Sequence, residues 1–176
     1  DIILSVGAGN AEDGGDVLVS GGEISDKTGG AISLTGGYGS TTSSGSIVFQ
    51  TSNAGTKGVS GILLFSSGTT SSGASGSFSI QTGKATGGEG GDILVAVGTS
   101  STDNGGDVII NGGDSTPLTG GSISVSSGEG SQTSSGAFVV RSVDAGTKGV
   151  SGMLAFVTGT TSSGTSGSIT MATGKA

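Results

Sequence analysis

The side chains that most often perform catalysis or hold a metal ion are nearly absent from this sequence. It contains no His and no Cys, so it can form neither a Ser-His-Asp or Cys-His constellation nor a zinc site built from those ligands. Serines are abundant, but none has an evident neighbouring base to activate its hydroxyl group. The sequence therefore predicts a protein that is not an enzyme, has no catalytic residue and binds no cofactor.

One segment is a candidate for calcium binding. Gly87–Val95, GGEGGDILV, fits the calcium-binding nonapeptide G-G-x-G-x-D-x-U-x, in which Asp92 would supply a carboxylate oxygen. That motif works through successive copies in tandem, and here it occurs once. We therefore assign no metal site and retain Asp92 as the single calcium candidate. The remaining carboxylates are expected to be solvated loop charges, for example those of Glu12, Asp13, Asp26, Asp103 and Asp114.

The elements that would position these residues belong to a tandem array. Ser46–Gly61 (SIVFQTSNAGTKGVSG) returns 91 residues later as Ala137–Gly152 (AFVVRSVDAGTKGVSG). Within each block the period is 15 residues, apart from these two repeats of 16. The sequence thus predicts a single repeat array, 1–176, made of a six-repeat block, 1–91, and an incomplete second block, 92–176.

Each repeat opens with the same apolar pattern. Its second and fourth residues are apolar throughout, from Ile2 and Leu4 onwards, and an i, i+2 spacing places both side chains on one face of a strand. Gly fills the seventh place except at Ser52 and Val143, and we expect the chain to turn there through positive φ. The pattern predicts an all-β fold, a parallel β-solenoid of 15-residue strand-loop units with the second and fourth residues inside.

The third place of the repeat bears on the number of repeats per turn. It is apolar in the first two repeats of every three, and in the third repeat it is Ser33, Ser79, Ser124 or Thr170. In a turn of three repeats, about 45 residues, third-place residues of the same kind would stack on one another. The Asp side chains of one column would then lie roughly 9.6 Å apart. We therefore expect three repeats per turn. One 15-residue repeat per turn is the alternative, with the threefold pattern then a relic of an older duplication.

The apolar third-place residues point away from this predicted core. Exposed apolar rows of such size usually mark a contact surface. We expect them to be covered by the Gly-rich loops or by a neighbouring chain, while the Ser and Thr third places stay open to water. The apolar set comprises Ile3, Leu18, Val48, Leu64, Leu94, Ile109 and Val139.

Composition narrows the range of partners. The net charge is −7 and no basic patch could contact phosphate, which argues against nucleic acid. No apolar run reaches the roughly 18 residues that span a bilayer, so no membrane insertion is expected. The array ends inside its twelfth repeat without a capping repeat, which favours a segment of a longer chain or filament. The expected partners are copies of itself or the continuation of the same chain, with glycans as further candidates.

Runs such as GGDILVAVG, TGGSISVSSGEG and SSGTTSSGASGSFSIQTGKA resemble the long Gly/Ser/Thr-rich repeat arrays of secreted or cell-surface proteins of diatoms and related algae. The resemblance covers the whole chain and carries over no functional residue. It implies an extracellular or cell-surface location and a non-catalytic structural role. The expected function is a module of a fibre, sheath or adhesive that assembles by end-to-end β-stacking. An ice- or surface-binding solenoid is the alternative, although only the four Ser/Thr third places supply outward hydroxyl groups.

Overall fold

The computed structural model describes residues 1–9 and 13–175 of the chain. Throughout those ranges the backbone forms no helix and no strand. The chain divides into two units, Asp1–Gly91 and Asp92–Ala176. The prediction of an all-β parallel β-solenoid is therefore wrong, both with three repeats per turn and with one.

The backbone hydrogen bonds give the physical reason for this correction. A strand needs N–H and C=O partners on another strand, whereas every backbone hydrogen bond of the described residues joins two residues of the same repeat. The i, i+2 apolar spacing specifies a face of the chain, but it supplies no partner for the backbone of that segment. Four of these bonds run from the last residue of a repeat to its seventh: Gly30 to Gly22 (2.9 Å), Gly45 to Gly37 (2.8 Å), Gly121 to Gly113 (2.8 Å) and Gly136 to Gly128 (3.0 Å).

Each complete repeat closes on itself between its sixth residue and its terminal glycine. A β-carbon added to Gly112 would lie 2.6 Å from the carbonyl oxygen of Gly121, and one added to Gly106 would lie 3.0 Å from Cγ1 of Val97. The same approach occurs in every complete repeat. A side chain on the terminal glycine would crowd the partner residue in the tighter loops, as at Gly15, Gly30 and Gly106, whereas at Gly76 or Gly167 its β-carbon would make an ordinary contact.

The closed loop bends near its tenth to twelfth residues. Bends lie at 25–27, 40–42, 71–73, 86–88, 101–103, 116–118, 131–133 and 162–164. In the two 16-residue repeats a tight turn replaces this bend, with the N–H of Gly58 donating to the carbonyl of Gly55 at 3.4 Å and Gly149 to Gly146 at 3.3 Å. The structural repeat therefore has the same 15- to 16-residue length as the sequence repeat, although it is a loop and contains no strand.

The seventh-place glycines do not provide the positive φ that was expected of them. Among the described residues only Gly73 and Gly164 have positive φ, at 111° and 125°, and both occupy the twelfth place of the repeat. The hydroxyl of Thr70 donates to the carbonyl of Ser72 at 3.1 Å beside the first of them, and Thr161 donates to Ser163 at 3.2 Å beside the second. The left-handed conformation thus belongs to the bend inside GTTSSG.

The described residues enclose no hydrophobic core. The chain exposes 17815 Å², whereas a compact protein of 16.4 kDa would expose about 7,500 Å² and its fully unfolded chain about 24,000 Å². The second- and fourth-place residues, predicted to lie inside, are all exposed. The chain on its own therefore retains most of the apolar surface that folding normally removes from water.

A period-two difference in exposure remains within each repeat. In the second to eleventh repeats the second- and fourth-place side chains are 48–74% exposed, whereas the apolar third-place residues are 74–90% exposed. The loops of the chain therefore do not cover the third-place residues, and that part of the expectation is wrong. Its other part, coverage by a neighbouring chain, stays a prediction.

Candidate functional site

Asp92, the calcium candidate, is the first residue of the unit Asp92–Ala176 and is exposed. Calcium takes six to eight oxygen ligands, of which several are normally carboxylates. Within the described ranges no group of three acidic side chains lies close enough to hold a metal ion. The structure therefore brings no second and third carboxylate to Asp92, and its assignment rests on the nonapeptide pattern alone.

The loop carboxylates are exposed where the structure describes them, and Glu12 lies outside the described residues. Asp103 shows how such a residue serves its own loop. Its N–H donates to Oγ of Ser100 at 3.0 Å, and its Oδ1 accepts the N–H of Asn104 at 2.8 Å. A neighbouring loop repeats the first of these contacts, with the N–H of Leu118 donating to Oγ of Ser115 at 3.1 Å. Asp103 therefore stabilises the backbone of its own loop, and its charge is exposed to solvent.

A line of three phenylalanine rings connects consecutive repeats of the unit Asp1–Gly91. The centroids of Phe49 and Phe65 are 6.2 Å apart with the rings nearly perpendicular, and those of Phe65 and Phe78 are 6.3 Å apart with the rings stacked. Both distances fall in the range of favourable aromatic pairs. The three residues come from the fourth, fifth and sixth repeats, so these repeats follow one another in space as well as in sequence.

Sequence reasoning did not anticipate this ring contact. It treated the three phenylalanines as members of a uniform inward-facing set, and the signal that could have singled them out was the presence of an aromatic residue in three consecutive repeats. In the unit Asp92–Ala176 the equivalent places hold Val140, Phe156 and Ile169. There Phe156 and Ile169, with Thr170 and Met171, line a shallow recess of about 280 Å³.

No family model, curated protein or solved structure matches this chain. The resemblance to algal repeat arrays therefore stays a prediction. In the described residues there is also no helix long and apolar enough to cross a membrane.

Exposed apolar side chains recur at the same places in repeat after repeat of each unit. We call the third-place residues Ile3, Leu18, Val48, Leu64, Leu94, Ile109 and Val139 the third-place row; all of them are exposed. The Ser/Thr third places Ser33, Ser79, Ser124 and Thr170 are exposed as well. Because these apolar side chains recur from repeat to repeat, another apolar surface can contact each unit at several of them through hydrophobic interactions.

Proposed function

We propose that this chain is a non-catalytic structural module of an extracellular fibre, sheath or adhesive, held together by contacts between copies of the chain. The observation that carries the proposal is the exposure of apolar side chains at the second, third and fourth places of repeat after repeat. Soluble monomers rarely leave large contiguous apolar patches open to water, and those that do usually bind something there.

Because the apolar places recur in every repeat, many weak contacts between two chains can together hold a fibre or sheath. Every repeat offers apolar side chains at its second and fourth places, and two repeats of every three offer one at the third place as well. Two chains that meet at one repeat therefore hold the following repeats close to their counterparts. The second and later contacts then form at high effective concentration, and the total affinity exceeds that of one contact by orders of magnitude. A fibre or sheath needs this kind of distributed cohesion along its length.

The extracellular part of the proposal rests on the sequence resemblance and on composition. A chain with a net charge of −7 and polar Ser/Thr-rich loops is well hydrated between its apolar rows, and net charge opposes uncontrolled precipitation. End-to-end β-stacking is left out of the proposal, because it requires terminal strands and the described residues contain no strand.

The test is whether the pure 176-residue protein associates with itself. We expect sedimentation velocity to show a rising average mass between micromolar and millimolar concentration, and electron microscopy to show filaments or sheets at the upper end. A protein that stays monomeric over this range and forms no ordered assembly contradicts the proposal. Thermal hysteresis measured on the same samples separates the alternative, because an ice-binding protein would depress the freezing point while still monomeric.

A further inference from the structure

Charge along the sequence alternates in sign from segment to segment of the repeat array. Residues 1–26 carry six carboxylates and no Lys or Arg, and residues 27–88 carry three Lys and no carboxylate. The same order follows later in the chain, with six carboxylates and no cation in 89–129 and then three cations and one carboxylate in 130–176. Acidic and basic segments of 26, 62, 41 and 47 residues therefore succeed one another.

The alternation is sharper when residues at the same place of the repeat are compared. The twelfth place of every third repeat holds Glu12, Lys57, Asp103 and then Lys148, so that the sign changes at each step. The eighth place in another series of every third repeat holds Lys84, Glu129 and then Lys175. Opposite charges are thus 45 or 46 residues apart at equivalent places of the loop.

The structure presents these charged side chains outward from the loops. Lys57 lies within the tight turn closed by Gly55 and Gly58, and Asp103 lies on a bend whose backbone is held by Ser100. All the charged residues of both series that the structure describes are exposed, namely Lys57, Lys84, Asp103, Glu129, Lys148 and Lys175. They are therefore available to a partner with the complementary spacing.

We propose that the partner is a second copy of this chain, lying parallel and shifted by three repeats, and this proposal rests on the function proposed above. With that shift Lys57 of one copy meets Asp103 of the other, and Lys84 meets Glu129. A shift of zero or of a whole 91-residue block would instead bring like charges together, as in Asp1 with Asp92, Asp16 with Asp107, Glu23 with Asp114, Lys57 with Lys148 and Lys84 with Lys175. Complementary charges set the register of an interface more than its strength.

The third-place row favours shifts by a multiple of three repeats, among which a shift of three repeats also brings opposite charges together. Three repeats bring Leu18 onto Leu64, Val48 onto Leu94 and Ser33 onto Ser79, so that apolar side chains meet apolar ones and hydroxyl groups meet hydroxyl groups. A shift of one or two repeats places an exposed serine against an exposed leucine or isoleucine. Apolar matching and charge matching together favour one register. The ring contacts of Phe49 with Phe65 and of Phe65 with Phe78 place the fourth, fifth and sixth repeats next to one another in that order.

Isotope-coded cross-linking tests the register directly. The wild-type 176-residue protein is prepared with natural nitrogen and with ¹⁵N, mixed in equal amounts, assembled at low salt and treated with a zero-length carbodiimide that joins Lys to carboxylate. We expect mixed-isotope cross-links between residues 45 or 46 apart, Lys57–Asp103 and Lys84–Glu129 among them. Mixed-isotope links at other separations, or the same links only within single chains, would overturn the proposal.

A charge reversal provides a second test with a matched control. Asp103→Lys with Glu129→Lys places cations against cations in the proposed register, and we expect association at low salt to weaken about tenfold or more. Asp16→Lys with Asp107→Lys changes the net charge equally, but these residues face the uncharged Ile62 and Met153 under the same shift. The difference between the two variants should vanish in 1 M salt, where the screening length is about 3 Å.

The outcomes separate this proposal from the function on which it rests. If wild type and both variants associate equally at low salt, the three-repeat register is wrong while self-association stands. If the wild-type protein does not associate at all, both proposals fail.

Discussion

Replacing four residues of the third-place row with serine tests whether this surface holds the assembly together. The variant carries Leu18→Ser, Leu64→Ser, Leu94→Ser and Ile109→Ser, which span both blocks of the array. These side chains are 76–90% exposed in the single chain. Their loss therefore removes few contacts within the chain, and its main effect should fall on contacts between chains.

The size of the effect follows from the exposed surface. Complete burial of a Leu or Ile side chain contributes about 2 kcal/mol, and nearly all of that remains available here because the side chains are so exposed. If assembly covers half of this surface, the four substitutions together remove about 3 kcal/mol, which corresponds to about a hundredfold weaker association. The size of the effect therefore depends on the exposure of these side chains in the single chain and on how much of them another chain covers.

Sedimentation equilibrium of the variant and the wild type over the same concentrations measures this difference. The matched control carries alanine at Ser33, Ser79, Ser124 and Thr170, the Ser/Thr third places, and should associate at least as tightly as the wild type. Circular dichroism should give the same spectrum for all three proteins. A serine variant that associates within about threefold of the wild type would refute the assignment of the third-place row as the contact surface.

Two further substitutions probe the order within one chain. Gly112→Ala should open its loop, because the new β-carbon would lie 2.6 Å from the carbonyl of Gly121, and hydrogen exchange of the Gly121 amide should accelerate; Gly113→Ala is the control, since its β-carbon would meet nothing within 4 Å. Phe65→Leu should abolish the ring-current shifts of its two aromatic neighbours. It should also remove about 0.5–1.5 kcal/mol of favourable interaction free energy per ring pair. Phe156→Leu, 91 residues later, is its control. Unchanged exchange at Gly121, or unchanged aromatic shifts, would contradict the respective contact.

The sequence predicted the repeat far better than it predicted the conformation of the repeat. The 91-residue duplication recurs in local structure, since the hydrogen bond from Gly30 to Gly22 has its counterpart from Gly121 to Gly113. The spacing of the glycines is compatible with these closures, because each of them joins two glycines that lie eight residues apart in one repeat. What the spacing could not establish was a strand ladder, which depends on a backbone partner outside the repeat.

The sequence also predicted positive φ at the wrong glycines. A seventh-place glycine suggested a turn through positive φ, but such residues as Gly22 and Gly113 have room for a β-carbon, and positive φ occurs at Gly73 and Gly164 instead. Recurrence of a glycine indicates that some constraint recurs. It does not distinguish a backbone dihedral requirement from the close approach of two chain segments, and close approach is what the structure shows at Gly15, Gly30 and Gly106.

The sequence identified the residues of the third-place row, but it did not predict how exposed they are. The alternation that separates Leu18 from Val17 and Val19 persists in their exposed fractions of 90%, 53% and 66%, because side chains of an extended segment point to opposite sides even without a ladder. The loops, however, leave the third-place row 74–90% exposed, so its coverage has to come from another chain. A Gly-rich chain loses much conformational freedom when it becomes ordered, and the single chain offsets this with little burial. Contacts between copies would add apolar burial at every repeat, so the gain from association increases with the number of repeats engaged. This gain is therefore greatest for a long array whose repeats share the same apolar places.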